Sequence, residues 1–138
     1  MEVREFLVER PEELRRVGEA LLESGKRVFI LTGPLGAGKT RLVQEFGKLI
    51  GVDEPITSPT FSIQNIYNGI PPIYHYDLYQ KGVDYFLKLG LLEELEREGF
   101  HFLEWGEGLK SILEEFGFPV GVVEIEPEGE RRRVKCLF

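Results

Sequence analysis

The sequence is poor in the residues that build disulfides and zinc sites, since its 138 residues include one cysteine, Cys136, and two histidines. One cysteine excludes a disulfide within the chain, and three such ligands do not make a standard zinc site. No apolar run is long enough to cross a bilayer, and the first residues lack the basic and then apolar pattern of a secretory signal. We therefore expect a cytoplasmic protein with one domain, residues 1–138.

Positive charge is also scarce, because 17 Lys and Arg stand against 24 Asp and Glu and give a formal net charge of -7. Sequence-independent binding to nucleic acid depends on cations that neutralise phosphates, so this balance disfavours it. The densest basic cluster is Arg131-Arg132-Arg133. Such a run is typical of a solvated face or a protected sheet edge, although it could also lie over an adenine or contact RNA.

A glycine-rich stretch from Gly33 to Thr40 is the strongest feature that the sequence does have. It follows the pattern of glycine, four free positions, glycine, lysine and then serine or threonine. The apolar run 27–32 before it has the length of a strand, and residues 40–50 after it carry apolar side chains at helical spacing. A strand, a glycine-rich turn and a helix form the context that a phosphate-binding loop requires.

The chemistry of this stretch suits a triphosphate. Gly33, Gly36 and Gly38 let the backbone turn its N–H groups inward, and the following helix directs the positive end of its dipole at the phosphates. Lys39 is expected to reach the β- and γ-phosphates, and the Thr40 hydroxyl is expected to ligate Mg²⁺. The sequence therefore predicts ATP and Mg²⁺ as cofactors.

Hydroxyl groups are concentrated in the segment Thr57-Ser58-Pro59-Thr60-Phe61. Because Pro59 biases Ser58 toward an extended backbone, this segment is not expected to be helical. It could be a plain loop that enters a strand. Next to a phosphate loop, we favour a segment that senses the γ-phosphate or Mg²⁺ through Ser58 and Thr60.

Two further stretches carry groups that could act on a phosphate. In the predicted strand 72–79, His75 and Asp77 share one face, where they could position a water or a magnesium ligand or simply form the wet face. The apolar run 100–104 ends in Glu104, which at the carboxyl end of a strand would reach Mg²⁺ directly or through water. Trp105 could stack near the nucleotide or seal the core.

The remaining periodicities predict an α/β fold. We expect the following elements: strands at 3–8, 61–67, 72–79, 120–125 and 132–137; helices from Pro11 to residue 24, over 82–98 with a possible break at Gly90, and over 107–116; and a turn at 127–130.

Four signatures together resemble the TsaE family, also called YjeE, of the bacterial tRNA threonylcarbamoyladenosine modification machinery. In chain order they are Gly-Pro-Leu-Gly-Ala-Gly-Lys-Thr, then Ser58-Pro59-Thr60-Phe61, then His75-Tyr76-Asp77-Leu78-Tyr79, and then Leu103-Glu104-Trp105 with Glu107. The resemblance covers nearly the whole chain. Two positions depart from the family's pattern, since Pro34 stands where an acid is frequent and Gln80 where arginine is usual.

The resemblance implies a P-loop NTPase-like three-layer sandwich, with a central mixed β-sheet flanked by helices. It implies an Mg-dependent ATPase that acts with a TsaB–TsaD complex at position 37 of tRNA, so that tRNA is met only indirectly. Thr40 and Glu104 would hold Mg²⁺, Asp77 would orient the attacking water, and Arg132 lies near a nucleotide-contacting position. The loop segment would wrap the phosphates through Gly36, Ala37, Gly38, Lys39, Thr40 and Arg41.

Three other functions remain open on the sequence alone. A small-molecule kinase would use the same loop but would need an acceptor pocket and a lid with arginines. A GTPase-like regulator normally carries an Asn-Lys-x-Asp segment, which does not occur in this sequence. A structural subunit would bind ATP without turnover.

Overall fold

The computed structural model of the protein describes residues 1–57 and 63–138. The strands of these residues are β1 (Val3–Val8), β2 (Val28–Thr32), β3 (Gln64–Tyr67), β4 (Ile73–Asp77), β5 (Phe100–Glu104), β6 (Val120–Glu128) and β7 (Arg131–Leu137). The α-helices are α1 (Leu14–Glu23), α2 (Lys39–Leu49), α3 (Gly82–Lys88), α4 (Leu91–Glu94) and α5 (Lys110–Glu115). Short 3-10 turns at Pro11–Glu13 and Glu107–Leu109 lead into α1 and α5.

The seven described strands form one mixed sheet in the order β1-β7-β6-β2-β5-β4-β3. The four central strands β6, β2, β5 and β4 are parallel, whereas β7 runs antiparallel to both β6 and β1, and β3 runs antiparallel to β4. Strand β1 therefore runs in the same direction as the central four. All five strands end at the same edge of the sheet, which is where open α/β sheets bind ligands.

Helices cover both faces of the sheet, so the fold is the expected three-layer α/β sandwich. Strand β2 is buried on both sides, because Phe29 and Leu31 belong to one core and Val28 and Ile30 to the other. The first core packs α1 and α2 against the sheet, and the second packs α3 and α5 against it. A fully buried Phe or Leu side chain contributes roughly 1.5–3 kcal/mol, so the two cores dominate the stability of the fold.

Several predicted boundaries differ from the observed ones. Pro11 begins a 3-10 turn rather than the α-helix itself, which starts at Leu14. Gly90, at a φ of 74°, separates α3 from α4. The predicted helix over 82–98 is wrong beyond Glu94, where i to i−3 turns follow and the Arg97 carbonyl accepts a hydrogen bond from His101 Nε2 at 2.9 Å.

The turn predicted at 127–130 is present but shorter, because β6 continues to Glu128 and the hairpin turn consists of Gly129 and Glu130. Pro127 is tolerated in the strand since β2 pairs with β6 only as far as Glu124, which leaves the later part of β6 with one neighbour. The predicted strand 61–67 corresponds to β3, which begins at Gln64, and residues 61 and 62 lie outside the described residues. Within 1–57 and 63–138, no helix has the length and apolar character that crossing a membrane requires.

Candidate functional site

The glycine-rich loop connects the end of β2 to the start of α2 at the carboxyl edge of the sheet. Gly33, Gly36 and Gly38 have φ angles of 144°, 77° and 118°, which L side chains rarely adopt. A Cβ at position 33 would lie 2.4 Å from the carbonyl oxygen of Ile125 on β6. Gly33 is therefore required both by its backbone angle and by the close approach of the neighbouring strand.

Lys39 lies almost completely buried at the first position of α2, with 4% of its surface exposed. Its Nζ donates a hydrogen bond to the Gly33 carbonyl at 2.6 Å and lies 3.6 Å from the centroid of the Trp105 ring. Burial lowers the pKa of Lys39, while the nearby carboxylates of Glu104, Glu107 and Asp77 act in the opposite direction. The loop thus surrounds the Lys39 ammonium group, and the Trp105 ring packs against that group.

Thr40 and Glu104 meet across the gap between α2 and β5. The Thr40 hydroxyl donates a hydrogen bond to Glu104 Oε2 at 3.0 Å, and His75 Nε2 lies 2.5 Å from the same oxygen. Glu104 retains 4% exposure, and His75 is fully buried. The two predicted metal ligands, Thr40 and Glu104, are therefore adjacent. Both offer oxygen atoms, which are the ligands that Mg²⁺ prefers.

Asp77 ends β4 directly beside the end of β5, because the register pairs Asp77 with Glu104. Its side chain is half-buried, and its Oδ1 accepts a hydrogen bond from the backbone N–H of Tyr79 at 3.0 Å. This bond holds the carboxylate at the edge of the sheet. The arrangement brings the three predicted catalytic residues, Lys39, Asp77 and Glu104, to one place.

Trp105 follows Glu104 with a φ of 63°, in the left-handed region. For a residue other than glycine this conformation costs about 1–3 kcal/mol, and such strain concentrates at functional sites. The ring packs against the Tyr79 ring at a centroid distance of 4.8 Å and borders the second core. Trp105 therefore seals the sheet edge and covers Lys39 at the same time.

A cavity of about 280 Å³ lies on the other side of the glycine loop. Arg132 lines it and donates a hydrogen bond from Nε to the Ala37 carbonyl at 3.2 Å. Arg41 also lines the cavity, and its Nε pairs with Glu45 Oε2 at 2.9 Å. The basic hairpin thus contacts the loop through its second arginine.

Sequence reasoning missed the opposite wall of this cavity, which Glu9, Arg10 and Pro11 form. Nothing in the local pattern after β1 indicates a site, and Pro11 indicates only the start of a helix. The direction of β1 is the signal that could have found them. Because β1 runs parallel to the central strands, the residues that follow it come to the ligand-binding edge.

Two predicted site residues, Ser58 and Thr60, lie outside the described residues. In residues 1–57 and 63–138, no group of three or more His, Cys, Asp or Glu side chains is arranged to hold a metal ion. A metal at Thr40 and Glu104 would therefore need oxygen ligands from water or from a phosphate. This is the usual situation for Mg²⁺, which is typically held by one or two protein ligands beside phosphates.

The sequence matches one known protein family over most of its length. Residues 8–134 match the model of the family described as "Threonylcarbamoyl adenosine biosynthesis protein TsaE". A curated tRNA threonylcarbamoyladenosine biosynthesis protein TsaE from Treponema pallidum is 39% identical over 70% of this chain and 71% of its own length. A protein of the same name from Nostoc is 43% identical over 66% of this chain and 58% of its own length.

A third relative and a solved structure come from Bacillus subtilis. The TsaE protein of that organism is 35% identical over 75% of this chain and 66% of its own length. The crystal structure of YdiB matches the fold with a TM-score of 0.70 and 27% identity, over 98% of this chain and 84% of YdiB. The chain thus spans only about three fifths to seven tenths of the three curated relatives.

Proposed function

The chain belongs to the TsaE family, and from this premise we propose that it is an Mg-dependent ATPase that serves tRNA threonylcarbamoyladenosine biosynthesis. The convergence of Lys39, Thr40, Asp77 and Glu104 at the carboxyl edge of the parallel strands carries the proposal. These groups come from three separate parts of the chain, and their types match the needs of phosphoryl transfer.

The glycine loop and Lys39 would bind the phosphates of ATP. The positive φ angles at Gly33, Gly36 and Gly38 support this role, since they let consecutive backbone N–H groups face one point. Lys39 would exchange its bond to the Gly33 carbonyl for a phosphate oxygen. The exchange is favourable because a bond from an ammonium group to an anion is stronger than one to a neutral carbonyl.

Thr40 and Glu104 would hold Mg²⁺, whose charge would neutralise the phosphates. The hydrogen bond from the Thr40 hydroxyl to Glu104 supports this assignment. The hydroxyl and carboxylate oxygens lie 3.0 Å apart, close enough to ligate one cation together.

Asp77 would orient the water that attacks the terminal phosphate. Its place beside Glu104 and its bond to the Tyr79 N–H support the assignment, because a carboxylate held at the sheet edge can accept a hydrogen bond from that water. Ser58 and Thr60 are proposed to contact the γ-phosphate.

The nucleoside of ATP would occupy the cavity beside the loop. Arg132 supports this placement, since it joins the loop at the Ala37 carbonyl and borders a space of about 280 Å³. A guanidinium group can stack on a base or pair with a phosphate, so either contact suits this residue. Trp105 would remain over the phosphate-binding lysine rather than stack on the base.

By resemblance, the partners would be a TsaB–TsaD complex in the cytoplasm, and this chain would meet tRNA only indirectly. ATP hydrolysis would then support the modification that the partner complex carries out at position 37. An accessory role is in keeping with the net charge of -7, which disfavours direct and sequence-independent contact with RNA.

Phosphate release from Mg-ATP by the purified protein tests the proposal. We expect slow release by the protein alone, faster release with TsaB and TsaD, and loss of both after Lys39→Ala. The control Lys110→Ala removes an exposed lysine on α5 and should retain the parent rate. Equal rates with and without the partners would contradict the accessory role, and transfer of phosphate without its release would favour a kinase.

A further inference from the structure

The buried histidine of β4 has no part in the function proposed so far. His75 is fully buried, and its Nδ1 is a buried side-chain atom without a hydrogen-bond partner among the described residues. Its Nε2 lies 2.5 Å from Glu104 Oε2. A histidine in this position therefore has one polar atom committed to Glu104 and one that is left unpaired.

Packing does not account for this choice of residue. Burying an unpaired polar atom costs free energy, and an aromatic ring such as phenylalanine would fill the same space without that cost. The neighbours on the same face favour an apolar side chain too, since Ile73 and Phe102 belong to the first core. Among the described residues, the bond to Glu104 is the hydrogen bond that an apolar ring would lose.

The contacts of Glu104 are distributed unequally between its two oxygens. Oε2 accepts the hydroxyl hydrogen of Thr40 and contacts His75 Nε2. Because a carboxylate only accepts hydrogen bonds, the His75 Nε2 carries the proton and donates it. No hydrogen bond from another described side chain reaches Oε1.

We propose that His75 is a positioning residue for the magnesium site, an inference that rests on the proposed function. Its Nε2–H holds Oε2 and fixes the rotation of the Glu104 carboxylate, so Oε1 is kept for Mg²⁺ or for a water bound to it. Holding Oε2 also keeps the acceptor of the Thr40 hydroxyl in place, and this hydrogen bond helps to hold the hydroxyl oxygen beside the carboxylate. One buried histidine thereby sets the direction of both magnesium ligands.

The variants His75→Phe and His75→Gln separate positioning from packing. Phenylalanine keeps the ring and removes the donor, whereas the amide nitrogen of glutamine lies near the place of Nε2 and restores it. His75→Asn puts an amide nearer to Nδ1, too far from Glu104 to replace the bond. His101→Phe is a matched control, because His101 is also fully buried but bonds Tyr76 and the Arg97 carbonyl instead.

The experiment measures the binding of a fluorescent N-methylanthraniloyl ATP, first in EDTA and then during titration with MgCl₂. We expect His75→Phe to raise the Mg²⁺ concentration at which the binding of the fluorescent ATP changes half-maximally by about 10- to 100-fold. This is the usual loss of metal affinity when a residue that holds a metal ligand is removed. Binding in EDTA should stay within about twofold of the parent, because the hydrogen bond that His75 makes among the described residues goes to Glu104 and not to the phosphate loop. His75→Gln should recover most of the Mg²⁺ response, and His101→Phe should match the parent.

An unchanged Mg²⁺ response in His75→Phe would overturn the role of His75 and leave the proposed function intact. A parent protein that binds no nucleotide with Mg²⁺ would refute the proposed function itself. If His75→Phe does not fold, as judged by its thermal unfolding curve, the two amide variants decide. A normal response in His75→Asn, equal to that of His75→Gln, would contradict the proposal.

Discussion

Replacing Gly33 with alanine tests whether the loop geometry depends on the close approach of β6. The new Cβ would lie 2.4 Å from the Ile125 carbonyl oxygen, well inside any normal contact, at a φ of 144°. The cost of the contact can be separated from the cost of a positive φ. Gly36 and Gly25 have φ angles of 77° and 76°, but a Cβ at either position would lie in open space. Alanine at those positions therefore carries only the backbone penalty, about 1–2 kcal/mol.

The contact adds to that penalty at position 33. The atom that a Cβ would meet is a backbone carbonyl of a buried strand, which cannot turn aside as a flexible side chain would. We expect an additional loss of about 1–3 kcal/mol, the usual cost of overpacking. Urea unfolding of Gly33→Ala, Gly36→Ala and Gly25→Ala measures the free energy of unfolding of each variant.

Nucleotide binding by the same variants links the geometry to function. Because the Gly33 carbonyl accepts the Lys39 Nζ bond, a shift at Gly33 should also weaken ATP binding. Gly25→Ala lies in the turn after α1, away from the loop, and should bind ATP like the parent. A Gly33→Ala variant as stable as Gly36→Ala would mean that the contact with β6 adds no cost.

Three further predictions concern groups around and away from the site. Arg132→Ala should weaken ATP binding by roughly 5- to 10-fold through loss of its hydrogen bond to the loop, whereas the exposed Arg131→Ala should stay near the parent in the same titration. Burial lowers the pKa of His101, so its contribution to stability should be complete above the unfolded pKa of about 6.5 and decline as pH falls below it. The free energy of unfolding, measured with urea at pH 5 and pH 7.5, should differ more between the two pH values for the parent than for His101→Phe. Burial raises the pKa of Cys136 to about 12, so a thiol reagent at pH 8 should react with Cys136 only after unfolding, and rapid reaction of the folded protein would contradict its burial.

The parts of the fold that were predictable depend on local periodicity and on glycine. The short apolar run of β2 and the helical spacing after the glycine loop led to the correct elements, because the run has the length of a buried strand and the spacing matches one face of a helix. The continuation of β6 through Pro127 to Glu128 was not predictable in this way. Pro127 usually ends a strand, and its tolerance here depends on where β2 stops pairing with β6, which local sequence does not reveal.

The site was predictable in its residue types but not in its contacts. The sequence placed Glu104 at the end of a strand and put His75 and Asp77 on one face. It could not reveal that His75 contacts Glu104, since that depends on the register between β4 and β5. The cavity wall after β1 was missed for a related reason, because the direction of β1 follows from its pairing with β7 at the far end of the chain.

Calorimetric titration of the protein with ATP in the presence of Mg²⁺ measures whether this edge of the sheet binds a nucleotide. We expect saturable binding at one site in the parent and loss of that binding in Lys39→Ala. A thermal unfolding curve checks that the Lys39→Ala variant is folded. The Lys110→Ala control should bind as the parent does. A folded parent protein that takes up no ATP with Mg²⁺, or a Lys39→Ala variant with parental affinity, would contradict the claim that this edge of the sheet is a nucleotide site.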